Sequence, residues 1–483
     1  MTTMRNTARS TAFGLLTASA LAGCKDFISA PSAVNNPNTP TSVAVGQLLT
    51  GVETSQTAIQ SGDVARTVGL FMQQFSGTDR QYQSAAQYSV GEDFSNGAWN
   101  STYQGGGLVD LRLIESRSDA AGDSATAGIA RIIEALDIAT AADLWGDVPY
   151  STALNPAQKA TLDKQATIYT AAQGLLDRGI KQLQSKKGSG PGPADLWYGG
   201  SSASWIAAGY TLKARFYLHT AERQGTAADG TPAFDAGAYQ SALAAAQNGI
   251  KSPSGDLNTY QSTNPNEFNL WYQFTVVSRA GYLAPSDYFV NLLTSRNDPR
   301  LTYYFAPGNA TTEIIGSPVT SGGPASNVAS LNPATGAPGN PAYNQPLVTY
   351  AETQLIIAEA QFRLGNSAAA LVAVNAERAN AAGGTPLPAL SALPTGAAGL
   401  NEIMTEKYTA LFESPEIWND YKRTCLPVRT PVVGATGLIP ARFLYPLSER
   451  NTNSSNIPAP AQQPPRNAND PNPCSVNGTQ TSS

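Results

Sequence analysis

The sequence contains one histidine and three cysteines in 483 residues, and only 13% of its residues are charged. So few histidines and cysteines cannot supply the ligand set of a zinc site, and no G-x-S-x-G nucleophile motif is present. The net charge of −5 argues against nucleic-acid binding, which needs a basic surface. Beyond the N-terminus, no apolar run approaches the roughly 20 residues of a membrane-spanning helix. We therefore expect no metal, no cofactor and no nucleic-acid partner.

The N-terminus has the pattern of an export leader. Arg5 and Arg9 precede a short apolar run at residues 11–21, and Leu-Ala-Gly-Cys at residues 21–24 supplies a small-residue cleavage site. This tetrapeptide resembles the bacterial lipobox, in which the cysteine becomes the acylated first residue. We predict a signal peptide over residues 1–23 and a lipid anchor on Cys24 that attaches the protein to a membrane.

Cys425 and Cys474 remain after such processing. In an oxidising envelope they can pair and hold the C-terminal segment. Two free thiols are the alternative, and the sequence leaves both open.

Residues 141–150, AADLWGDVPY, end a long apolar helix at a defined turn. Gly146 suits a positive-φ position after the helix, and Pro149 stops the helix from continuing. Asp147 is expected to hydrogen-bond its own backbone and stiffen the turn.

Two pairs of helices are typical of tetratricopeptide-like hairpins, which are about 34 residues long. Residues 350–364 and 367–381 form one pair around the turn Gly365-Asn366, and residues 203–222 and 239–250 form the other. The inward positions predicted for the first pair are Ala351, Leu355, Ala358 and Phe362, and Ala368, Leu371, Val372 and Asn375.

The remaining chain is less regular. Residues 252–344 lose the helical pattern, and we predict a loop-rich insert with small pieces of sheet. Residues 401–424 are predicted as the last long helix and residues 441–448 as a strand-like segment. An irregular tail is predicted over 457–483.

Three stretches resemble, in order, the signatures of the SusD/RagB family: DLWGDVPY (143–150), EKYTALFESPEIWNDYKRT (406–424) and ARFLYPLS (441–448). The resemblance implies a mainly α-helical fold over residues 24–456, with tetratricopeptide-like hairpins as the scaffold and the insert at 252–344. It also implies a surface-exposed outer-membrane lipoprotein that binds a nutrient and works with a TonB-dependent transporter.

Two stretches combine aromatic rings with short polar side chains, the mixture that sugar binding uses. The family places its aromatic contacts at comparable points along the chain, so we predict eight ligand contacts. They are Arg80, Tyr82, Trp99, Asn100, Asn269, Trp271, Tyr272 and Tyr282.

Structural roles compete with some of these predictions. Trp99 is equally suited to anchoring the start of a helix in the core. Trp271 and Tyr272 are adjacent, so in an extended segment at least one of them would face solvent. Trp145 and Trp418 are interpreted as structural.

Catalysis has weak support. His219 lies within an apolar helix and is interpreted as a core residue. Carboxylate pairs of the kind that glycosidases use have structural interpretations at all three candidate positions: Glu92 with Asp93, Asp143 with Asp147, and Glu413 with Glu416. We predict no enzyme activity.

The predicted function is therefore capture of an oligosaccharide or related nutrient at the cell surface and its delivery to the partner transporter. A binder of peptides or other nutrients in the same complex is one alternative. A tetratricopeptide-type interaction scaffold without a small ligand is another.

Overall fold

The computed structural model describes residues 43–470, except 156, 228–229, 231, 430–431 and 436, and it also describes Cys474. The predicted signal peptide and Cys24 lie outside the described residues. From Leu48 onward the chain forms one compact unit. Helices dominate this unit and the strands are short, so the predicted fold class, mainly α with small β pieces, is confirmed.

The α-helices, numbered along the chain, are α1 Val45–Ser61, α2 Asp63–Phe71, α3 Arg80–Ala86, α4 Asn96–Tyr103, α5 Leu108–Ala120, α6 Ser124–Trp145, α7 Gln165–Ser185, α8 Ser202–Leu218, α9 Ala236–Ala246, α10 Leu270–Tyr272, α11 Asp287–Ser295, α12 Arg300–Tyr304, α13 Tyr350–Arg363, α14 Ser367–Arg378, α15 Gly396–Ala410, α16 Glu416–Thr424 and α17 Leu447–Thr452.

The strands form antiparallel pairs: β1 Phe75–Gly77 with β7 Leu283–Pro285, β2 Val148–Pro149 with β3 Leu162–Asp163, β4 Glu222–Thr226 with β5 Pro232–Phe234, β6 Leu257–Asn258 with β10 Pro346–Val348, and β8 Phe305–Ala306 with β9 Ser330–Leu331. Several of these strands lie in the predicted insert, which also contains the nine-residue helix α11 that the sequence pattern did not predict.

Helix α13 is the centre of the hairpin stack. On one side, Ile356 and Ala360 pack against α8 and α9. On the other side, Leu355, Ala358 and Phe362 pack against α14 and α15. Because α13 is buried on both sides, the two predicted hairpins share one continuous core, as stacked helix pairs do.

The predicted inner face of α14 is wrong. Ala368 is exposed and Val372 is 70% exposed, whereas Ala370, Ala373 and Val374 are buried. Both sets are alanine- and valine-rich at helical spacing, so periodicity alone did not fix the rotation of the helix.

The turn after α6 has the predicted backbone but a different role for its aspartate. Gly146 has φ +81°, and a Cβ there would lie 2.7 Å from Oδ1 of Asn467. Asp147 does not bond its own backbone: its carboxylate accepts from the backbone N–H of Gln165 at 2.9 Å. The turn therefore fixes where α7 begins.

The predicted last helix is two helices. Helix α15 ends at Ala410, Glu413 has φ +64°, and α16 starts after Pro415. The following segment, residues 441–448, was predicted to be strand-like. It makes only an isolated bridge, between Ala441 and Arg466, before α17 begins.

The C-terminal segment is irregular but packed. Gln463, Asn467 and Asp470 are buried, and Cys425 forms a disulfide with Cys474, with Cα atoms 5.2 Å apart. The pairing that the sequence left open is therefore present.

His219 is buried between two carboxylates. Its Nε2 lies 2.8 Å from Oε1 of Glu416, and its Nδ1 lies 2.9 Å from Oδ1 of Asp143. Burial alone would lower the pKa of His219, but the two carboxylates outweigh it and raise the pKa to about 9. The imidazolium thus joins α6, α8 and α16, which confirms a structural role.

We expect His219→Gln to lower the free energy of unfolding by about 3–5 kcal/mol at pH 6, because two buried carboxylates lose their shared cation. The folded pKa of His219 lies above its unfolded value, so its stabilisation is complete below about pH 6.5 and is lost as the pH rises through about 9. Urea denaturation of the wild-type protein and His219→Gln at pH 6, 7.5 and 9.5 should show that the difference in unfolding free energy decreases as the pH rises.

Arg450→Gln is the control, because Nε of Arg450 pairs with Oε1 of Glu92 at 2.7 Å, an ion pair that shares no carboxylate with His219. A guanidinium stays charged over this interval, so the deficit of this variant should not change with pH. A His219→Gln deficit that is equally independent of pH would contradict the proposed charge state.

Candidate ligand-binding site

A short helix and a π-helical turn form the centre of the candidate site. The Asn269 side chain begins α10 by accepting from the backbone N–H groups of Trp271 and Tyr272 at 2.9 and 3.2 Å. The chain continues as a π-helix over Gln273–Ser278, a geometry that is frequent at functional sites. Asn269 is itself fully buried and also donates to the Tyr343 carbonyl at 2.9 Å. Its predicted contact with a ligand is therefore replaced by a capping role.

The structure separates Trp271 from Tyr272. Trp271 is fully buried and stacks on Phe75 with ring centroids 4.6 Å apart, so it has no open ring face for the predicted ligand contact. Tyr272 is half-buried and packs edge-on against Phe268 at 5.1 Å. One of the two adjacent rings faces outward, although the segment is helical and not extended.

Tyr272 lines an open groove of about 420 Å³, a volume within the usual range for ligand sites. We call it the Tyr272 groove and define it by Phe75, Tyr272, Thr275, Val276, Gly281, Asn309 and Pro324. Val276 is 54% exposed and Asn309 is exposed. The groove therefore combines an aromatic ring and apolar surface with amide and hydroxyl groups.

A second aromatic group lies beside the groove. We call it the Tyr282 cluster and define it by Arg80, Tyr82, Phe274, Arg279 and Tyr282. The Tyr82 ring packs against Phe274 at 4.9 Å and Tyr282 at 6.2 Å. The guanidinium carbons of Arg80 and Arg279 each lie 5.8 Å from the centre of the Tyr282 ring. Three predicted contacts from two distant stretches are thus brought together.

Burial differs within the Tyr282 cluster. Tyr82 is buried, so its ring is not the accessible platform that the sequence predicted. Burial raises the pKa of its hydroxyl, although Arg66 acts in the opposite direction. Tyr282 is half-buried, and Arg80 and Arg279 are exposed. The side chains that can meet a ligand here are therefore Arg80, Arg279 and Tyr282.

Trp99 and Asn100 lie elsewhere. Trp99 is buried and packs edge-on against Trp145 at 5.0 Å, in the core behind the turn that follows α6. Asn100 is half-buried on the same helix, α4, and neither residue lines the Tyr272 groove. The prediction of Trp99 as a ligand platform is wrong, and the competing interpretation as a core anchor is confirmed.

One acid of each candidate carboxylate pair is engaged in a structural contact. Glu92 pairs with Arg450 at 2.7 Å, Asp147 holds the start of α7, and Glu416 pairs with His219. Glu413 is buried, and burial raises the pKa of its carboxyl well above the usual value. None of these acids lines the Tyr272 groove. Within the described residues, His, Cys, Asp and Glu side chains form no group that could hold a metal.

A larger cavity of about 670 Å³ lies between the turn at Gly146 and the segment 454–468. Its two aromatic residues, Trp145 and Tyr445, are only 1% and 3% exposed. Their ring faces are already covered by protein. The Tyr272 groove is therefore the better candidate for sugar stacking.

Several groove residues were not predicted. Phe75, Val276, Asn309 and Pro324 come from segments that meet only through the tertiary fold. The sequence offered one signal for them, since Val276 and Val277 follow Trp271 and Tyr272 closely, and the structure leaves both valines exposed.

The comparisons with known proteins agree with this fold. The family model described as "Starch-binding associating with outer membrane", SusD-like, matches residues 37–446. No curated protein sequence matches the chain. In the described part of the chain, the helices are too short or too polar to cross a membrane.

Three solved structures have the same fold. A SusD/RagB family protein from Bacteroides thetaiotaomicron VPI-5482 is 23% identical, with a TM-score of 0.68, over 86% of this chain and 95% of that chain. A chitin-binding protein is 22% identical, with a TM-score of 0.67, over 85% and 95%. A chitin-binding SusD homologue from Flavobacterium johnsoniae is 15% identical, with a TM-score of 0.69, over 88% and 97%. Because the family match extends over most of the sequence, the protein belongs to the SusD-like family.

Proposed function

We propose that this protein binds an oligosaccharide in the Tyr272 groove at the cell surface and delivers it to a TonB-dependent outer-membrane transporter. The observation that carries the proposal is an open groove with a half-exposed aromatic ring in a chain of this family. The family description names starch binding, and two structural neighbours are named as chitin-binding.

The chemistry of the groove suits a sugar. The Tyr272 ring and Val276 offer apolar surface to the C–H face of a pyranose. Asn309 and the Tyr272 hydroxyl can exchange hydrogen bonds with sugar hydroxyls. These contacts are reversible, and the proposed mechanism makes and breaks no covalent bond in the ligand.

The attachment to the membrane is part of the proposal. Acyl chains on Cys24 would hold the folded chain at the outer membrane, where the family is described as associating. The transporter partnership rests on family membership. Binding of peptides or other nutrients, and a scaffold without a ligand, remain the alternatives, and no contact of the groove favours either.

We expect Tyr272→Ala to weaken retention on a recognised polysaccharide about tenfold or more, because it removes the main accessible ring of the groove. Affinity electrophoresis against a panel of starch, chitin and acidic polysaccharides measures this directly. Tyr260→Ala is the matched control, since Tyr260 is 49% exposed and does not line the groove.

Comparing Trp271→Ala with Tyr272→Ala distinguishes an effect on folding from an effect on ligand binding. It should lower the free energy of unfolding by about 3–5 kcal/mol, because it empties a fully buried site beneath Phe75. Tyr272→Ala should leave the unfolding midpoint nearly unchanged. Equal loss of retention in Tyr260→Ala and Tyr272→Ala would contradict binding in the Tyr272 groove. If the wild-type protein were retained on no polysaccharide, glycan binding itself would be contradicted.

We expect Cys24→Ser to move the protein from the membrane fraction to the soluble fraction, because it removes the thiol that carries the acyl chain. Labelling of cells with a clickable palmitate analogue, followed by fractionation, tests this. Ser29→Ala is the control and should stay labelled and membrane-bound. Label on the Cys24→Ser protein would contradict the anchor.

A further inference from the structure

The Tyr282 cluster carries a positive charge that the fold does not neutralise. Arg66, which lies 4.5 Å over the Phe274 ring, is paired with Asp63 at 2.5 Å. Arg279 is exposed and donates only to the carbonyl of the adjacent Ser278, at 2.9 Å. In the part of the chain that the structure describes, no carboxylate lies within ion-pair distance of Arg279.

Arg80 is only loosely compensated. Its side chain is 67% exposed, and its Nε lies 3.7 Å from Oδ2 of Asp79, beyond hydrogen-bond distance. The other oxygen of Asp79 accepts from the backbone N–H of Arg80 at 2.9 Å. The two exposed guanidiniums near the Tyr282 ring therefore keep N–H groups that can donate to a ligand.

The backbone at Arg80 is also unusual. Arg80 has φ +50°, in the left-handed region that favours glycine. The chain nevertheless places a long, exposed, charged side chain there. The side chain of Arg80 therefore leaves the chain from a backbone geometry that glycine would adopt more easily.

The Tyr282 cluster is joined directly to the rim of the Tyr272 groove. Oγ1 of Thr78 donates to the Gly281 carbonyl at 2.8 Å, and the backbone N–H of Thr78 donates to the Tyr282 carbonyl at 3.0 Å. The N–H of Gly323 donates to the Thr78 carbonyl at 2.8 Å, and the next residue, Pro324, lines the groove. These hydrogen bonds join the backbone next to Arg80 and Tyr282 to the wall of the groove.

We propose that Arg80 and Arg279 select an anionic glycan, by binding a carboxylate or sulfate group of a sugar that stacks near Tyr282. This inference rests on the proposed function. A guanidinium donates two parallel N–H groups, which match the oxygens of a carboxylate or a sulfate ester. In a chain with a net charge of −5, a local excess of positive charge favours acidic over neutral polymers of the same shape.

Matched glycan pairs test the selection. For the carboxylate, isothermal titration calorimetry compares galacturonate oligosaccharides with their methyl esters, which have the same backbone without the charge. For the sulfate, it compares carrageenan oligosaccharides with the same oligosaccharides after chemical desulfation. We expect at least one acidic member to bind about tenfold more tightly than its neutral partner, and this preference should shrink as salt is raised.

Two variants locate the effect. Arg80→Gly and Arg279→Gln should each remove most of the acidic preference. Arg80→Gly should not lower the unfolding midpoint, because glycine adopts φ +50° without strain. Arg178→Gln, an exposed arginine on α7, is the matched control and should keep the preference.

The outcomes separate this inference from the proposed function. Binding of neutral glycans as tight as that of acidic ones overturns the anionic selection and leaves glycan binding intact. So does an acidic preference that survives both substitutions. Failure to bind any glycan, neutral or acidic, overturns the proposed function and this inference with it.

Discussion

The fold depends on a buried network of charges around helix α16. Arg423 donates to both carboxylate oxygens of Glu359 on α13, at 2.5 and 2.6 Å, and to Asp420 at 2.5 Å. Lys407 on α15 also pairs with Asp420, at 2.9 Å, and Glu416 holds His219. These groups are almost fully buried, so leaving one of them unpaired would cost several kcal/mol. An arrangement of the helices that separated these groups would therefore lose electrostatic stabilisation as well as packing.

Parts of the fold that depend on local sequence signals could be predicted, whereas parts that depend on contacts between distant residues, such as this network, could not. The turn at Gly146 and the hairpin around α13 carry local signals, namely a positive-φ glycine, a proline stop and alanines at helical spacing. The end of α15 is followed by one such signal, Pro415, but the apolar stripe continues across it into α16 and favours one long helix. With the break at Pro415, Glu416 pairs with His219 and Arg423 pairs with Glu359, and these contacts join residues far apart in sequence. Single-sequence periodicity contains no record of them.

The candidate site was only partly predictable for the same reason. Composition drew attention to the aromatic stretch between Asn269 and Tyr282, where the structure leaves Tyr272 and Tyr282 half-buried. Composition could not separate Trp271 from Tyr272, because a tryptophan satisfies a core and a sugar site equally well. Asn269 determines which of the two rings is buried, because its side chain caps α10 and so orients Trp271 against Phe75. The far wall of the groove comes from loops without any repeating pattern.

Charged residues are distributed differently in the helical scaffold and in the loops of the candidate site. Only 13% of the residues are charged, and many of the acids and bases are matched in the interior, as Arg300 is with Asp298 and Glu406. In such a chain an exposed charge is less easily explained as a solubilising surface than in a highly charged protein. In the helical scaffold many charged side chains form ion pairs with each other. In the loops around Tyr282, by contrast, Arg279 has no ion-pair partner among the described residues. A division of this kind allows loops to change their ligand without disturbing the pairs that hold the helices together.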